Sequence, residues 1–416
     1  MLLLLQLTII ILTFISHENK AIAQYVPPYS SVVVPLHKHT DAAKPLYSVE
    51  IVTAYVNMQY LHANFLIDLD APFVWHDCII QWNIYPGSCP ANTLCTSPVS
   101  CEEYQCTDVR ASYSYTNPSC SPPNNDSTLP GWGYCTCPVT VVDPVTGSCG
   151  QAMLNYDEFT VNPNAACAPS SAFQSFPKNV TGVMALSSSP YALPASLFEP
   201  LKKVMGLCLP STLSTSGVLF YGNSNYSLLP QKDVDVRSYL SYTPLIKHPD
   251  SFGYFIGVNS IVIKTRSIGI PANATTKIST LEPYTVLRTD IYNPVIRRFS
   301  MVTKRIPPAK AVPPFGLCFS TQVGLRVPDI DFNLPEGKKW TISSTNSIKQ
   351  VTPDVACLAL VDGGATSEHA IVIGTFQMED NFVVFNLENS TFGFSSSLLR
   401  KKTSCSNFNF TLVDSF

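Results

Sequence analysis

The sequence predicts an all-β fold of two lobes with a few short helices. Short runs rich in Val, Ile, Tyr, Phe and Thr alternate with Pro, Gly, Asn and Ser, a spacing typical of β-sandwiches and barrels. The turn Asp68-Leu69-Asp70 follows an apolar extended run, and a related turn, Ser279-Thr280-Leu281, comes roughly 210 residues later. A chain of 416 residues is long enough for two domains. The repeated turn therefore indicates two lobes related by approximate two-fold symmetry.

The chain begins with an apolar run over residues 1–15, and Ala21-Ile22-Ala23 has the small-x-small form of a signal-peptidase site. A membrane anchor is the alternative, but about 14 apolar residues are fewer than the roughly 20 that span a bilayer. We therefore expect a signal peptide at 1–23 and a secreted, extracellular protein.

The mature chain divides into an N-terminal β lobe over 24–215, which is rich in cysteine, and a C-terminal β lobe over 216–416. Two segments, 194–205 and 284–302, have helical length and apolar spacing. The predicted strands, each bounded by turn residues, are 48–56, 64–67, 139–142, 217–221, 255–263, 341–343, 370–373 and 382–386.

Composition excludes several classes of function. Charged residues make up only 13 % of the chain and its formal net charge is −3, which argues against a nucleic-acid partner because phosphate binding needs a basic face. Hydrophobic residues make up 45 %, enough for a sizeable core. No later apolar run is long enough for a membrane span, so no membrane partner is expected. We expect a monomer without a cofactor or a metal.

Fourteen cysteines indicate disulfides, because a secreted chain oxidises its thiols and no nearby histidine completes a metal site. Ten lie at or before Cys167, and four follow it: Cys208, Cys318, Cys357 and Cys405. Six glycosylation sequons agree with secretion. Their asparagines are Asn125, Asn179, Asn225, Asn273, Asn389 and Asn409.

Motifs in order along the chain resemble those of the pepsin-like aspartic peptidase superfamily. The match is closest to its plant non-peptidase relatives: the xylanase inhibitors, the endoglucanase inhibitors, and the group of basic globulins and extracellular dermal glycoproteins. The resemblance covers nearly all of the mature chain and implies a bilobal pepsin-like fold. Because these relatives are plant proteins, it also implies an extracellular location in the apoplast or cell wall. The segments that carry it are 65–75, 182–186, 254–261, 277–285, 372–376, 383–386 and 392–394.

The resemblance implies that Asp68 and Ser279 occupy the two catalytic positions. Pepsin-like catalysis needs two carboxyl groups that share one proton across a water molecule. The family pattern around each is Asp-Thr/Ser-Gly, whereas here Leu69 and Asp70 follow the first acid and serine replaces the second. A serine hydroxyl cannot share that proton, so we expect the dyad to be vestigial and the protein not to be an active peptidase.

Two other carboxyl groups are candidates for the second acid. Asp70 lies two residues from Asp68 in an extended turn and should project beside it, not opposite. Asp362, in Asp362-Gly363-Gly364, comes directly before the closing strand and too late in the chain for the second turn. A tight surface turn is the better interpretation of that segment.

The resemblance implies a protein that binds microbial cell-wall-degrading glycoside hydrolases, such as xylanases or xyloglucan-specific endoglucanases. These enzymes use paired carboxylates, which a projecting cation would pair with. Arg400-Lys401-Lys402 is the only run of three basic residues in the chain and precedes the last cysteine, the position of one inhibitory loop in the relatives. Arg326 is the closest match for a second loop near Cys318. A solvated basic loop without a function is the alternative.

The resemblance also implies the disulfides Cys78–Cys167, Cys208–Cys405 and Cys318–Cys357. Eight cysteines between Cys89 and Cys149 cannot be paired from the sequence. Two other functions stay open: an active or residual aspartic endopeptidase, and a non-inhibitory storage or peptide-binding globulin.

Overall fold

The structure is a computed structural model that describes residues 31–56, 59–81, 90, 93–113, 120, 135–156, 165–197, 201, 204–223, 226–322 and 324–410. The predicted signal peptide lies outside these residues and stays a prediction. No helix in the described part of the chain is long and apolar enough to cross a bilayer.

Strands dominate the first half of the chain. Its strands are β1 (Ser31–His39), β2 (Leu46–Val56), β3 (Gln59–Asp68), β4 (Trp75–Asp77), β5 (Ile79–Ile80), β6 (Cys95–Pro98), β7 (Pro138–Val142), β8 (Cys149–Tyr156), β9 (Ala165–Ala168), β10 (Val180–Ala185), β11 (Val204–Cys208) and β12 (Gly217–Gly222). Its helices are short: α1 (Tyr104–Tyr113), α2 (Leu193–Ser196) and a 3-10 turn, Ser170–Phe173.

Strands also dominate the second half of the chain. Its strands are β13 (Ser227–Leu228), β14 (Gln231–Asp235), β15 (Ser241–His248), β16 (Ser251–Ile256), β17 (Ser260–Ile263), β18 (Arg266–Gly269), β19 (Thr276–Ile278), β20 (Thr285–Leu287), β21 (Pro308–Ala309), β22 (Cys318–Ser320), β23 (Ile330–Asn333), β24 (Lys339–Ile342), β25 (Ile348–Thr352), β26 (Val355–Leu358), β27 (Leu360–Asp362), β28 (Ile371–Ile373), β29 (Phe382–Asn386) and β30 (Thr391–Phe394).

The helices of the second half are α3 (Thr289–Val302), α4 (Ser344–Ser347) and α5 (Thr375–Met378). Single 3-10 turns cover Val236–Tyr239, Pro335–Gly337, Leu398–Lys401 and Cys405–Asn407. The predicted all-β class with few short helices is confirmed.

The two lobes repeat one strand arrangement. In the first lobe β10 runs parallel to β3 and antiparallel to β4, while β9 runs parallel to β4. In the second lobe β28 runs parallel to β19 and antiparallel to β20, while β27 runs parallel to β20. Asp68 is the last paired residue of β3, opposite Ala185, and Ser279 directly follows Ile278, the last paired residue of β19, so both lie at the end of a parallel pairing. The same pattern of strand pairing thus occurs once in each lobe, as the predicted two-lobed architecture requires.

An antiparallel sheet joins the lobes. Its strand order is β1, β12, β11, β29, β30, β15, so three strands of the first half meet three strands of the second half where β11 pairs with β29. The domain boundary predicted between residues 215 and 216 lies in the connection between β11 and β12 and stays a prediction. One cluster of buried apolar side chains extends through both lobes.

Both predicted helices need correction. Among the described residues of 194–205, those up to Ser196 and Leu201 are helical, whereas Val204 begins β11, because that strand pairs with β29 at the junction. Within 284–302, residues 285–287 form β20 and the helix begins at Thr289. Apolar spacing alone could not separate a buried strand from a helix at either place.

Six disulfides are present in the described part of the chain. Three of them are Cys78–Cys167, Cys208–Cys405 and Cys318–Cys357, the pairs that the resemblance implies. The other three, which the sequence left open, are Cys101–Cys135, Cys106–Cys137 and Cys120–Cys149. Cys89 lies outside the described residues.

Three sequon asparagines are exposed: Asn179, Asn273 and Asn389. Asn409 is half-buried, and Asn125 and Asn225 lie outside the described residues. Glycosylation of each stays a prediction.

A buried ion pair connects the first strand to the second lobe. The Lys38 Nζ lies 2.7 Å from the Glu379 Oε1, and both side chains are less than a tenth exposed. The hydroxyl of Tyr47 donates to the same oxygen at 2.8 Å. Burial raises the pKa of Glu379, and the charge of Lys38 opposes that rise. Lys38 thus balances the negative charge of the Glu379 carboxylate, which is buried at the lobe junction.

We predict that Lys38→Met lowers the free energy of unfolding at pH 7.5 by about 3–5 kcal/mol, because it leaves the Glu379 carboxylate buried without its cation. The loss should be smaller at pH 5, where protonation of Glu379 removes the uncompensated charge. Chemical denaturation at both pH values measures it. Lys339→Met is the control, since its pair with Asp331 is exposed and such pairs contribute less than about 1 kcal/mol. Equal losses in the two variants would contradict the prediction.

Candidate functional site

Asp68 ends β3 at the junction between the lobes. It is 8 % exposed, and its Oδ1 accepts a hydrogen bond from the backbone N–H of Asp70 at 2.8 Å. Burial raises the pKa of this carboxyl to about 6, and the negative charge of Asp70 adds to the rise. Because the carboxyl is both buried and close to another acid, it holds its proton to a much higher pH than an exposed aspartate does.

Ser279 stands at the equivalent position of the second lobe. Its backbone N–H donates to the Ile373 carbonyl at 3.0 Å, and its Oγ accepts from the N–H groups of Leu281 and Glu282, both at 3.1 Å. The hydroxyl therefore braces its own turn in the way that the Asp68 carboxylate braces the first one. It carries no acid that could share a proton with Asp68.

The hydroxyl of Thr280 joins the two turns. It donates to the Ile67 carbonyl at 2.8 Å and accepts from the Leu69 N–H at 3.3 Å, so one side chain satisfies two backbone groups of the other lobe. Leu69 holds the corresponding place in the first turn and is buried. A leucine side chain has no polar atom, so Leu69 cannot make the corresponding side-chain hydrogen bonds to the second turn. Only the second turn contributes a side chain that hydrogen-bonds the other turn in this way.

Both carboxylate oxygens of Asp70 are held by the second lobe. Lys277 Nζ lies 2.5 Å from its Oδ2, and the Ser251 hydroxyl donates to its Oδ1 at 2.8 Å. Burial alone would raise the pKa of Asp70, but Lys277 and Ser251 outweigh it and hold the pKa below the usual value. Asp70 thus acts as an ionised link between the lobes and is not placed to serve as the second acid.

A cleft of about 160 Å³ opens beside Asp68. Apart from Asp68 and Asp70, its walls are apolar and include Phe73, Trp75, Val141 and Leu281. A cavity of about 150 Å³ accommodates one benzene ring, and typical ligand pockets reach roughly 300–1,000 Å³. The cleft has room for one apolar side chain.

The β7–β8 hairpin, which lines this cleft, is fixed at its tip. The Oδ1 of Asp143 accepts from the Val145 N–H at 2.7 Å. Its Oδ2 accepts from the hydroxyls of Thr146 at 2.7 Å and Ser175 at 2.6 Å. Since Ser175 lies outside the hairpin, the tip is bound to the body of the first lobe.

Asp362 lies away from both turns in the strand order. It ends β27, the neighbour of β20, and its Oδ1 accepts from the Thr289 hydroxyl at 2.6 Å and the Gly364 N–H at 3.0 Å. Gly364 has a φ of 85°, which glycine adopts without strain. The segment is a tight exposed turn, as the sequence predicts.

Arg400, Lys401 and Lys402 lie at the end of the 3-10 turn Leu398–Lys401. Arg400 is half exposed and its Nη2 donates to both oxygens of Asp329, at 2.8 and 2.7 Å. The Lys401 Nζ lies 5.2 Å from the centre of the Tyr239 ring. Lys402 has a φ of 60° and an exposed side chain. This run packs closely on the second lobe.

Arg326 is exposed in the connection that leads to β23. Three residues later in the same connection is Asp329, the partner of Arg400. The structure therefore brings the two predicted inhibitory segments, 321–327 and 400–402, to one surface. We call residues 321–331 and 398–402 the basic surface; it carries Arg326, Arg400, Lys401 and Lys402 against Asp329 and Asp331.

Sequence reasoning missed Lys277, Ser251 and Asp329. Lys277 has the clearest signal, because it stands between the buried Thr276 and Ile278 of a short strand, where a lysine needs a nearby carboxylate. Ser251 and Asp329 carry no local signal, since each acts on a residue far away in the chain.

Comparisons with known proteins agree with this geometry. The family models for the N-terminal and C-terminal parts of xylanase inhibitors match residues 51–223 and 253–396. Gamma conglutin 1 of Prunus dulcis is 34 % identical over 97 % of this chain and 95 % of its own. A probable aspartic proteinase of Nicotiana benthamiana, GIP2, is 32 % identical over 83 % of this chain and 85 % of its own. The crystal structure of EDGP superposes with a TM-score of 0.75 and 31 % identity, covering 91 % of this chain and 98 % of that one.

We predict that Asp68→Asn stabilises the protein at pH 7.5 and changes little at pH 4. The folded state holds the Asp68 proton up to a pH of about 6, whereas an unfolded aspartate loses it near pH 4. The free energy of unfolding therefore falls as the pH rises between these values, by up to about 3 kcal/mol. Asparagine avoids this loss and keeps an acceptor for the Asp70 N–H.

Thermal or chemical denaturation between pH 3.5 and 7.5 checks this prediction. Asp290→Asn is the control, because Arg288 lowers the pKa of that exposed carboxyl and no gain is expected. An Asp68→Asn variant that loses stability equally at both ends of the pH range would refute the account of the buried acid.

Proposed function

Since the chain belongs to the xylanase-inhibitor family of pepsin-like proteins, we propose that it is a secreted, extracellular protein that binds and inhibits microbial cell-wall-degrading glycoside hydrolases. Its targets are xylanases or xyloglucan-specific endoglucanases, and its role is in plant defence. The proposal includes that the protein is not a peptidase. The partner is a protein bound at the surface and no cofactor takes part.

The meeting of the two predicted segments at the basic surface is the observation on which this proposal rests. Glycoside hydrolases cleave with a pair of carboxylates on either side of the scissile bond. A surface that offers exposed cations from two segments fits such a cleft better than one isolated loop does. Arg400 and Arg326 are the cations that we assign to the carboxylates, with Lys401 and Lys402 beside them. Leu399, which is 45 % exposed, adds apolar contact area.

The geometry of the two turns supports the proposed absence of peptidase activity. Asp68 can act as one acid or one base, but Ser279 uses its hydroxyl to brace its own turn and Asp70 is engaged by Lys277 and Ser251. Water activation and protonation of the substrate carbonyl need two groups, and the loss of one such group typically costs 10²–10⁴-fold in rate.

A storage or peptide-binding globulin is the second candidate, favoured by the similarity to a gamma conglutin along nearly the whole chain. Such a protein would inhibit no glycoside hydrolase. The inhibition assay below separates the two functions.

We predict that the purified protein lowers the activity of at least one enzyme in a panel of fungal and bacterial xylanases and xyloglucan-specific endoglucanases. The triple variant Arg400→Ala, Lys401→Ala, Lys402→Ala should raise the inhibition constant at least tenfold, and Arg326→Ala should raise it as well. Lys304→Ala with Arg305→Ala removes two exposed cations elsewhere and should change nothing. A panel without inhibition would favour the globulin, and an unchanged constant in the triple variant would reject the basic surface.

We predict no pepstatin-sensitive cleavage of a denatured protein substrate between pH 3 and 6. The assay compares the wild-type protein with Asp68→Asn by electrophoresis of the substrate. Cleavage that pepstatin blocks and Asp68→Asn abolishes would show the protein to be a peptidase and would overturn the proposal.

A further inference from the structure

The ion pair between Arg400 and Asp329 uses one nitrogen of the guanidinium. Nη2 donates to both Asp329 oxygens, at 2.8 and 2.7 Å. Nε and Nη1 have no partner among the described residues. A guanidinium presents five N–H groups, so most of its donors face away from Asp329.

Two other arginine–aspartate pairs in the described structure differ in this respect. Arg237 bonds Asp235 through Nε and Nη2, and Arg288 bonds Asp290 through the same two nitrogens. In both pairs, the aspartate already occupies the edge of the guanidinium formed by Nε and Nη2, which matches a carboxylate best. Arg400 keeps its Nε for another acceptor.

The backbone on each side of this pair is anchored. Leu398 is fully buried and its N–H donates to the Asp380 carbonyl at 2.7 Å, while the Thr403 hydroxyl donates to the Leu229 carbonyl at 2.6 Å. On the other side, Asp329 directly precedes Ile330, which is buried at the start of β23. Both partners therefore project from fixed positions, and their side chains hold each other.

The pair is accessible to a large partner. The Arg400 side chain is 50 % exposed and that of Asp329 is 36 % exposed. The basic surface around them has four cations and two carboxylates, in a chain whose net charge is −3. Charge complementarity therefore favours an acidic partner surface at this place.

We infer that Asp329 is a positioning residue for Arg400. It holds the guanidinium by Nη2 and leaves Nε and Nη1 to donate, each to a separate acceptor, to the carboxylates of the glycoside hydrolase. This inference rests on the proposed function. Fixing the side chain before binding reduces the conformational entropy that association would otherwise cost.

A double-mutant cycle tests the inference with the panel enzyme that the wild-type protein inhibits most strongly. Asp329→Ala should weaken binding about threefold to fivefold, the range of an exposed ion pair. In the Arg400→Ala background the same change should have less than a twofold effect, because Asp329 acts only through Arg400. Asp290→Ala removes the acid of a matched exposed pair and should leave binding unchanged.

Several outcomes would overturn the inference. Tighter binding by Asp329→Ala would show that Asp329 competes with the partner for Arg400. Unchanged binding, or equal weakening in both backgrounds, would show that Asp329 does not act through Arg400. A panel without any inhibition rejects the proposed function, whereas the positioning role of Asp329 is tested separately by a measurement without an enzyme.

A second measurement needs no partner enzyme. Nitrogen-15 relaxation of the Arg400 Nε–H group, assigned by its loss in Arg400→Ala, should show restricted motion in the wild-type protein and faster motion in Asp329→Ala. Equal motion in the two proteins would overturn the positioning role whether or not any glycoside hydrolase is inhibited.

Discussion

The two central turns meet through the hydroxyl of Thr280, which donates to one backbone group of the first lobe and accepts from another. Both of these groups are buried between the lobes, where an unpaired donor or acceptor costs about 1–3 kcal/mol. Because the Thr280 hydroxyl hydrogen-bonds both groups, the distance between the turns is fixed. This distance determines how deeply Asp68 is buried. The raised pKa of Asp68, the small cleft beside it and the contact of Asp70 with the second lobe all depend on this approach.

The junction between the lobes keeps charged side chains, but they are arranged differently from the two acids of the family pattern. Asp70 occupies a glycine position of the family pattern and would repel Asp68 if it stood alone. Lys277 and Ser251 supply it with a cation and a donor from the second lobe, so a pair of acids across a water is replaced by an ion pair across the lobes. At the same time, exposed cations lie on different elements, at 324–331 and 399–402. The surface that we propose for binding is thus distinct from the two catalytic positions of the family pattern.

Much of this architecture could be predicted from the sequence, because it depends on local patterns. The apolar extended runs before Asp68 and Ser279 indicated the two turns, and the serine at position 279 predicted that the second catalytic acid is missing. Only the end of segment 194–205 was wrongly predicted as helical, since Val204 and Met205 join a strand whose partner lies near the end of the chain. The contacts of Asp70 with Lys277 and of Arg400 with Asp329 were missed for a related reason. Each joins residues that are tens to hundreds of positions apart, and no periodicity records such a pairing.

The sheet at the lobe junction has a consequence for biosynthesis. Strand β11 pairs with β29, and Cys208 bonds Cys405, so the first half of the chain carries an open strand edge and a reduced thiol until the final residues have been translated. Exposed edges of this kind invite mispairing with other chains. The nascent protein therefore exposes this edge until its synthesis is nearly finished, and a premature stop codon at residue 381 would leave β11 without its partner strand β29 although both lobes are almost completely synthesised.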